Sequence, residues 1–173
     1  MKIGILTVSD RASRGEYVDL SGPAIEDYLV ATVSTPWEAV RRIVPDGVES
    51  VASAMQALSD VDGVGLLLVT GGTGPAQRDE TPEAMDRVVL KPLPGFGELM
   101  RRVSLETVPT AILSRQGAGI RNSTLIVTLP GKPAAIKVCL DAVFPAVPYC
   151  LELIGAGHLD TQQDKIRSFR PGR

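Results

Sequence analysis

Between Leu66 and Glu83 an apolar run, Leu66–Val69, leads through Thr70 into Gly71-Gly72-Thr73-Gly74-Pro75-Ala76-Gln77-Arg78-Asp79-Glu80-Thr81-Pro82-Glu83. Three glycines within four residues free the backbone of Cβ atoms, so its N–H groups can approach an anion closely. Asp79 follows this loop, and Thr81-Pro82 reads as the N-cap and first position of a helix. A backbone cradle over Thr70, Gly71, Gly72, Thr73 and Gly74, a nearby carboxylate and a helix start at Thr81 are the parts of a phosphate and metal site.

Other residues could serve the same chemistry. Asp46 follows an expected strand, as Asp79 does, and the two carboxylates could hold Mg²⁺ beside substrate phosphates. Asp46 also spells D-x-x-E with Glu49, close to a capping box, and helix capping is the competing role. Ser9-Asp10-Arg11, Arg14 and Arg78 offer donors, and arginine's fork suits phosphate oxygens, although solvated loop positions would explain them equally. Standard nucleotide fingerprints fail. Gly131-Lys132 is followed by Pro133, and the position five before Gly131 is Ile126. The G-x-G-x-x-G pattern breaks at Gln77. His158, the single histidine, lies in a polar tail, which removes histidine-based triads and His-rich metal sites and leaves it a surface residue.

The elements that must position these residues alternate between strand and helix. Lys2–Val8, Trp37–Val44, Gly65–Thr70 and Thr124–Leu129 read as strands, with a shorter one at Ala111–Ser114. Ser9–Leu20 is polar and irregular, and Arg115–Ser123 reads as a polar loop. Helices are expected from Ser21, after Asp46, over Pro82–Val89, Phe96–Glu106 and Ala134–Val143, with a last apolar piece over Val147–Ile154. This is an α/β domain: a mostly parallel sheet with helices on both faces. Ligands bind such sheets beyond the carboxyl ends of the strands, where Ser9–Arg14, Asp46, Gly71–Asp79 and Pro130–Lys132 should converge. The domain is expected over residues 1–154, with 155–173 a polar tail on the surface or mobile.

Five motifs, taken in order, resemble the molybdopterin adenylyltransferases of bacterial molybdenum-cofactor biosynthesis, relatives of the gephyrin G domain. They are Ser9-Asp10-Arg11-Ala12-Ser13, Thr70–Gly74 through Arg78–Glu83, Pro94-Gly95-Phe96-Gly97-Glu98, Pro109–Arg115, and Leu129-Pro130-Gly131-Lys132-Pro133. The likeness runs from about residue 2 to 154. It implies a three-layer αβα fold, a homotrimer, and Mg²⁺-dependent transfer of AMP from ATP to molybdopterin. It implies that Asp46 and Asp79 are the functional aspartates, and that Ser9–Arg11, the glycine loop, Thr81, Ser123 and Pro130-Gly131-Lys132 contact the ligands. A molybdate-inserting protein is then a candidate partner for hand-off of the product, and the sequence leaves direct channelling open. Glu83 departs from the family, where a shorter aspartate is often seen.

Composition excludes several classes. At 173 residues and net charge −2, the chain carries no general basic field for nucleic acid or an anionic membrane. Cys139 and Cys150 are too few for a disulfide framework and read as buried thiols. The chain opens on a strand with no basic leader, which suggests a cytoplasmic enzyme. Three alternatives compete: a molybdopterin-binding relative without efficient adenylylation, a gephyrin-like scaffold at membranes, and an unrelated nucleotide-binding module. Retention of both aspartates disfavours the first, the absence of a linker or second domain the second, and the failed fingerprints the third.

Overall fold

A computed structural model describes residues 1–172; Arg173, the end of the expected tail, lies outside the described residues. Six strands form one sheet: β1 (Lys2–Val8), β2 (Glu38–Val44), β3 (Leu66–Thr70), β4 (Lys91–Pro92), β5 (Ala118–Arg121) and β6 (Thr124–Leu129). Their order is β2-β1-β3-β6-β5-β4. The first four positions are parallel, and β5 and β4 close the edge antiparallel. The strand order reverses between β1 and β3, so the crevice beyond their carboxyl ends is where such a sheet receives a ligand.

β1, β3 and β6 are buried almost throughout because helices cover both faces, and their sequences are accordingly dominated by apolar residues, with threonine the usual buried exception. Alternate side chains separate the two cores. Ile3, Ile5, Leu66, Leu68, Leu125, Val127 and Leu129 face α2 (Ser21–Thr32), α5 (Pro94–Leu105), α6 (Pro133–Val143) and α7 (Val147–Leu153). Leu6, Val8, Leu67, Val69 and Ile126 face α3 (Val48–Gln56) and α4 (Thr81–Val88). The result is the three-layer αβα sandwich. The run Pro133–Leu153 is long and apolar enough to cross a membrane by composition, but here it lays Ile136, Cys139, Leu140, Phe144 and Leu151 into the first core.

Several expectations need correction. Ala111–Ser114 is not a strand: Pro109–Leu113 forms a 3₁₀ turn, started by a proline whose missing N–H costs nothing there. Arg115–Ser123 is not simply a loop, since Ala118–Arg121 pairs with β6 across the two-residue turn Asn122-Ser123, with Asn122 at φ 50°. A short turn of helix, α1 (Asp10–Ser13), interrupts the irregular segment after β1, with the Ser9 hydroxyl oxygen accepting from Ala12 N–H at 3.3 Å. The tail is polar, yet it is anchored: Leu159 and Thr161 are buried, Thr161 bridges Val33, and Ile166 joins the first core.

Candidate functional site

The site is built from the loops that leave β1, β2, β3 and β6. After β3 the chain turns back sharply, with Gly71 at φ 102° and Gly72 at φ 62°. Only glycine fits. A Cβ on Gly71 would stand 2.2 Å from the Val8 carbonyl oxygen, and one on Gly72 would stand 2.5 Å from Thr81 Oγ1. The loop is pinned from below: Thr81 Oγ1 donates to Gly71 O at 2.8 Å, and Thr81 N–H donates to Gly72 O at 3.0 Å. Thr81 is therefore not the N-cap of α4. Glu80 stands there, and the Thr81 hydroxyl serves the glycine loop instead. With those carbonyls held, the N–H groups of Gly72, Thr73 and Gly74 make no hydrogen bond within the described chain. Three successive free N–H groups form a concave donor surface for an oxyanion.

The β6 loop docks on the same turn. Thr70 Oγ1 donates to Pro130 O at 2.9 Å, Gly71 N–H reaches Leu129 O at 3.4 Å, and Ser21 Oγ donates to Gly131 O at 2.8 Å. A Cβ on Gly131 would sit 3.3 Å from Gly71 Cα, so the two loops approach backbone to backbone. Lys132 stands exposed at the N-cap of α6. The N-termini of α2, α3, α4 and α6 thus gather at one sheet edge, and each presents about half a positive charge to a polyanion.

Asp46 does not cap α3, because Gly47 occupies that position without a side-chain bond. Its Oδ2 instead accepts from Asp10 N–H at 2.9 Å, and Asp46 N–H donates to Asp10 Oδ1 at 3.2 Å. Its other oxygen, Oδ1, lies 3.4 Å from where a Gly72 Cβ would be. Asp79 Oδ2 accepts from Ala76 N–H at 3.1 Å and lies 2.6 Å from where a Gly74 Cβ would be. The two carboxylates therefore stand along one glycine loop. No group of three or more His, Cys, Asp or Glu side chains among the described residues could form a closed cage. Two hard oxygen donors beside a phosphate cradle fit Mg²⁺, which keeps several waters and takes one or two carboxylates plus substrate phosphates.

A cleft of ≈ 180 Å³ opens at the strand-order reversal. Thr7, Ser9, Arg11, Tyr17, Asp19, Ser21, Thr70, Gly71 and Gly131 are among the residues lining it. Ser9, Arg11, Thr70, Gly71 and Gly131 were legible from sequence. Thr7, Tyr17, Asp19 and Ser21 were missed. Asp19 Oδ1 accepts from the N–H groups of Ser21 and Gly22 at 2.9 and 3.0 Å, while Oδ2 accepts from Thr7 Oγ1 at 2.8 Å. An aspartate two residues before the first residue of a helix is a capping signal that could have found it. The Arg11 guanidinium lies 5.1 Å over the Tyr17 ring. Arg14 is taken up by Glu16, whose carboxyl it holds below the ordinary range, and Arg78 is exposed. Ser123 is not brought to the cleft. It sits in the turn before β6, at the opposite edge of the sheet from Leu129.

The family described as a probable molybdopterin binding domain matches residues 4–149. The molybdopterin adenylyltransferase of Helicobacter pylori is 52% identical over 98% of this chain and 96% of its own. That of Escherichia coli is 42% identical over 99% and 94%. Among solved structures, the molybdopterin biosynthesis Mog protein from Mycobacterium ulcerans superposes with a TM-score of 0.79 at 35% identity, covering 88% of this chain and 98% of that one. With its glycine loop set between two aspartates at the sheet's reversal point, the chain belongs to the molybdopterin-binding domain family and, within it, to the molybdopterin adenylyltransferases.

Proposed function

We infer that the cleft transfers AMP from ATP to molybdopterin and releases pyrophosphate. The observation that carries this reading is the glycine loop itself: three free N–H groups run between Asp46 and Asp79. A terminal phosphate oxygen of molybdopterin attacks the α-phosphorus of ATP. A new P–O bond forms there as the bond to the bridging oxygen of the β-phosphate breaks, and pyrophosphate departs with that electron pair. The nucleophile is a phosphate monoester, mostly ionised at neutral pH because its second pKa is about 6. No base is needed, which suits a site without histidine.

The demand is to align two polyanions and to neutralise the charge that builds on the α-phosphate and pyrophosphate. The N–H groups of Gly72–Gly74 would hold phosphate oxygens, and the gathered helix N-termini would lower the cost of bringing both anions together. Asp46 and Asp79 would hold Mg²⁺, which when bound offsets charge on the transferring phosphates. Ser9, Asp10, Arg11, Thr70, Thr81, Pro130, Gly131 and Lys132 complete the binding surface in this reading, and Ser123 could join it only from elsewhere than this cleft. Residues 1–154 do the binding and transfer, and the described residues of the 155–173 tail brace them.

The cytoplasm suits the protein, whose Cys139 and Cys150 are unpaired thiols raised in pKa by burial. Exposed Leu105, Val108, Ile112 and Leu113 would suit a contact between copies in a homotrimer. The adenylylated product would pass to a protein that inserts molybdate.

The test is to incubate the purified protein with molybdopterin, ATP and Mg²⁺ and look for adenylylated molybdopterin by mass spectrometry. Mg²⁺-dependent product is expected. Tight binding of molybdopterin without product would replace the transferase by a binding protein.

A further inference from the structure

The glycine loop has a second side. Arg115 lies outside the cleft, on a separate cavity of ≈ 250 Å³ shared with Pro82, Arg101 and Gln116. From there its backbone N–H donates to Thr73 O at 2.8 Å, and its Nε donates to Gly74 O at 2.9 Å. Its Nη2 donates to Asp79 O, and its Nη1 pairs with the Glu83 carboxylate. Four acceptors spread over residues 73–83 are thus fixed by one residue.

A trans peptide unit points its C=O and N–H in opposite directions. Holding the Thr73 carbonyl outward therefore aims the Gly74 N–H inward, toward the ligand side. Holding the Gly74 and Asp79 carbonyls fixes the backbone on both sides of the Asp79 carboxylate. The Arg115 segment is itself held: Arg101 Nη1 donates to Gln116 O at 2.9 Å and to Ser114 O at 3.5 Å, and Gln116 is 2% exposed. A chain of contacts thus runs from α5 through residues 114–116 to the loop.

We propose that Arg115 is the positioning residue of this site, holding the glycine loop and Asp79 from behind in the geometry that receives the phosphates. The inference deepens the reading of the cleft as a transferase site and rests on it for its kinetic consequence. Only a planar fork reaches the Gly74, Asp79 and Glu83 acceptors together, so lysine is no substitute. Glu83 completes the device by holding the fork in register.

The test compares wild type, Arg115→Lys and Arg115→Ala, with thermal unfolding to establish that the variants fold. In Arg115→Ala, kcat for adenylyl transfer is expected to fall by roughly 10–100-fold, the usual cost of removing a group that orients a site residue. The KM for molybdopterin should hold, half-saturation by Mg²⁺ should move upward, and millimolar guanidinium should restore part of kcat. Arg115→Lys should stay slow. A variant as fast as wild type, or one slow but deaf to guanidinium, overturns the proposal. A second measurement needs no turnover: hydrogen exchange of the Asp79 and Thr81 amides, which donate to Ala76 O and Gly72 O. Faster exchange in Arg115→Ala, reversed by guanidinium, supports the brace even should the wild type prove inactive; unchanged exchange overturns it. An inactive wild type with a working brace would count against the transferase reading alone.

Discussion

Asp10 and Asp46 exchange hydrogen bonds across two loops: each backbone N–H donates to the other's carboxylate, at 2.9 and 3.2 Å. This reciprocal pair ties the end of β1 to the end of β2 and leaves Asp46 Oδ1 beside Gly72.

Replacing Asp46 or Asp79 by asparagine separates charge from geometry, because the amide oxygen can still accept from Asp10 or Ala76 N–H. Each variant should fold normally and bind molybdopterin, yet lose adenylyl transfer. Mass spectrometry of the product with calorimetry of binding checks this. Near-normal turnover in either variant removes that carboxylate from the mechanism.

Gly71→Ala should destabilise the protein even before any ligand is considered. The new Cβ would meet the Val8 carbonyl oxygen at 2.2 Å on a backbone at φ 102°. Strain and overlap together should cost roughly 2–5 kcal/mol. Gly95→Ala, where nothing lies within 4 Å, is the control and should stay within about 1 kcal/mol of wild type. Urea unfolding of the two variants decides it.

The tail should be held in a pH-dependent way. His158 lies 2.9 Å from Glu152 and 2.8 Å from Asp160, and Arg170 also donates to Glu152 at 2.8 Å. Hydrogen bonds to Asp160 and Glu152 raise the His158 pKa above its ordinary value. Its contribution is complete below about pH 6.5 and fades as pH rises through the raised value. The carboxylates run oppositely. The His158 hydrogen bond lowers Asp160, and in Glu152 the Arg170 and His158 bonds outweigh a burial effect that acts upward. Their contributions fade as pH falls through those lowered values. Corrected for intrinsic rates, exchange protection over 159–166 should be greater near pH 6 than above about pH 8. His158→Gln should abolish the difference, and a difference that survives it would assign the effect elsewhere.

Leu159 makes the tail part of the core, since its side chain is fully buried among residues of the first cluster. Leu159→Ala should cost about 2–5 kcal/mol. A chain ending at Ile154 should unfold at lower temperature than the full one. Equal melting temperatures would make the tail's packing energetically idle.

Strands buried on both faces were legible almost to the residue. Within Lys2–Val8 every position but Lys2 is buried, as is all of Thr124–Leu129, and such largely apolar runs have one reading once helices flank them. β5 was hidden. Ala118-Gly119-Ile120-Arg121 has little strand character of its own and is ordered by pairing with β6. The caps failed for a similar reason. Asp46 and Thr81 carry capping chemistry, but other loops compete for their oxygens, and sequence spacing does not register partners 36 or 10 residues away. Glycines and aspartates announced the front of the site. Arg115 closed one of the five motifs, but its role stayed hidden, because that role lies in carbonyls that every residue possesses.

Ser9, Asp46, Gly71 and Gly131 come to one edge from four different strands, and no neighbouring stretch of chain holds two of them. The site therefore has no local nucleus: it comes into being only when β1, β2, β3 and β6 have all found register. Contacts of such sequence separation form slowly, after the loop-closure entropy has been overcome. Binding competence should return on refolding together with the last parallel pairing, and fragments that end before β6 should be inert however well they fold. The cleft is in this sense a report on the completed sheet.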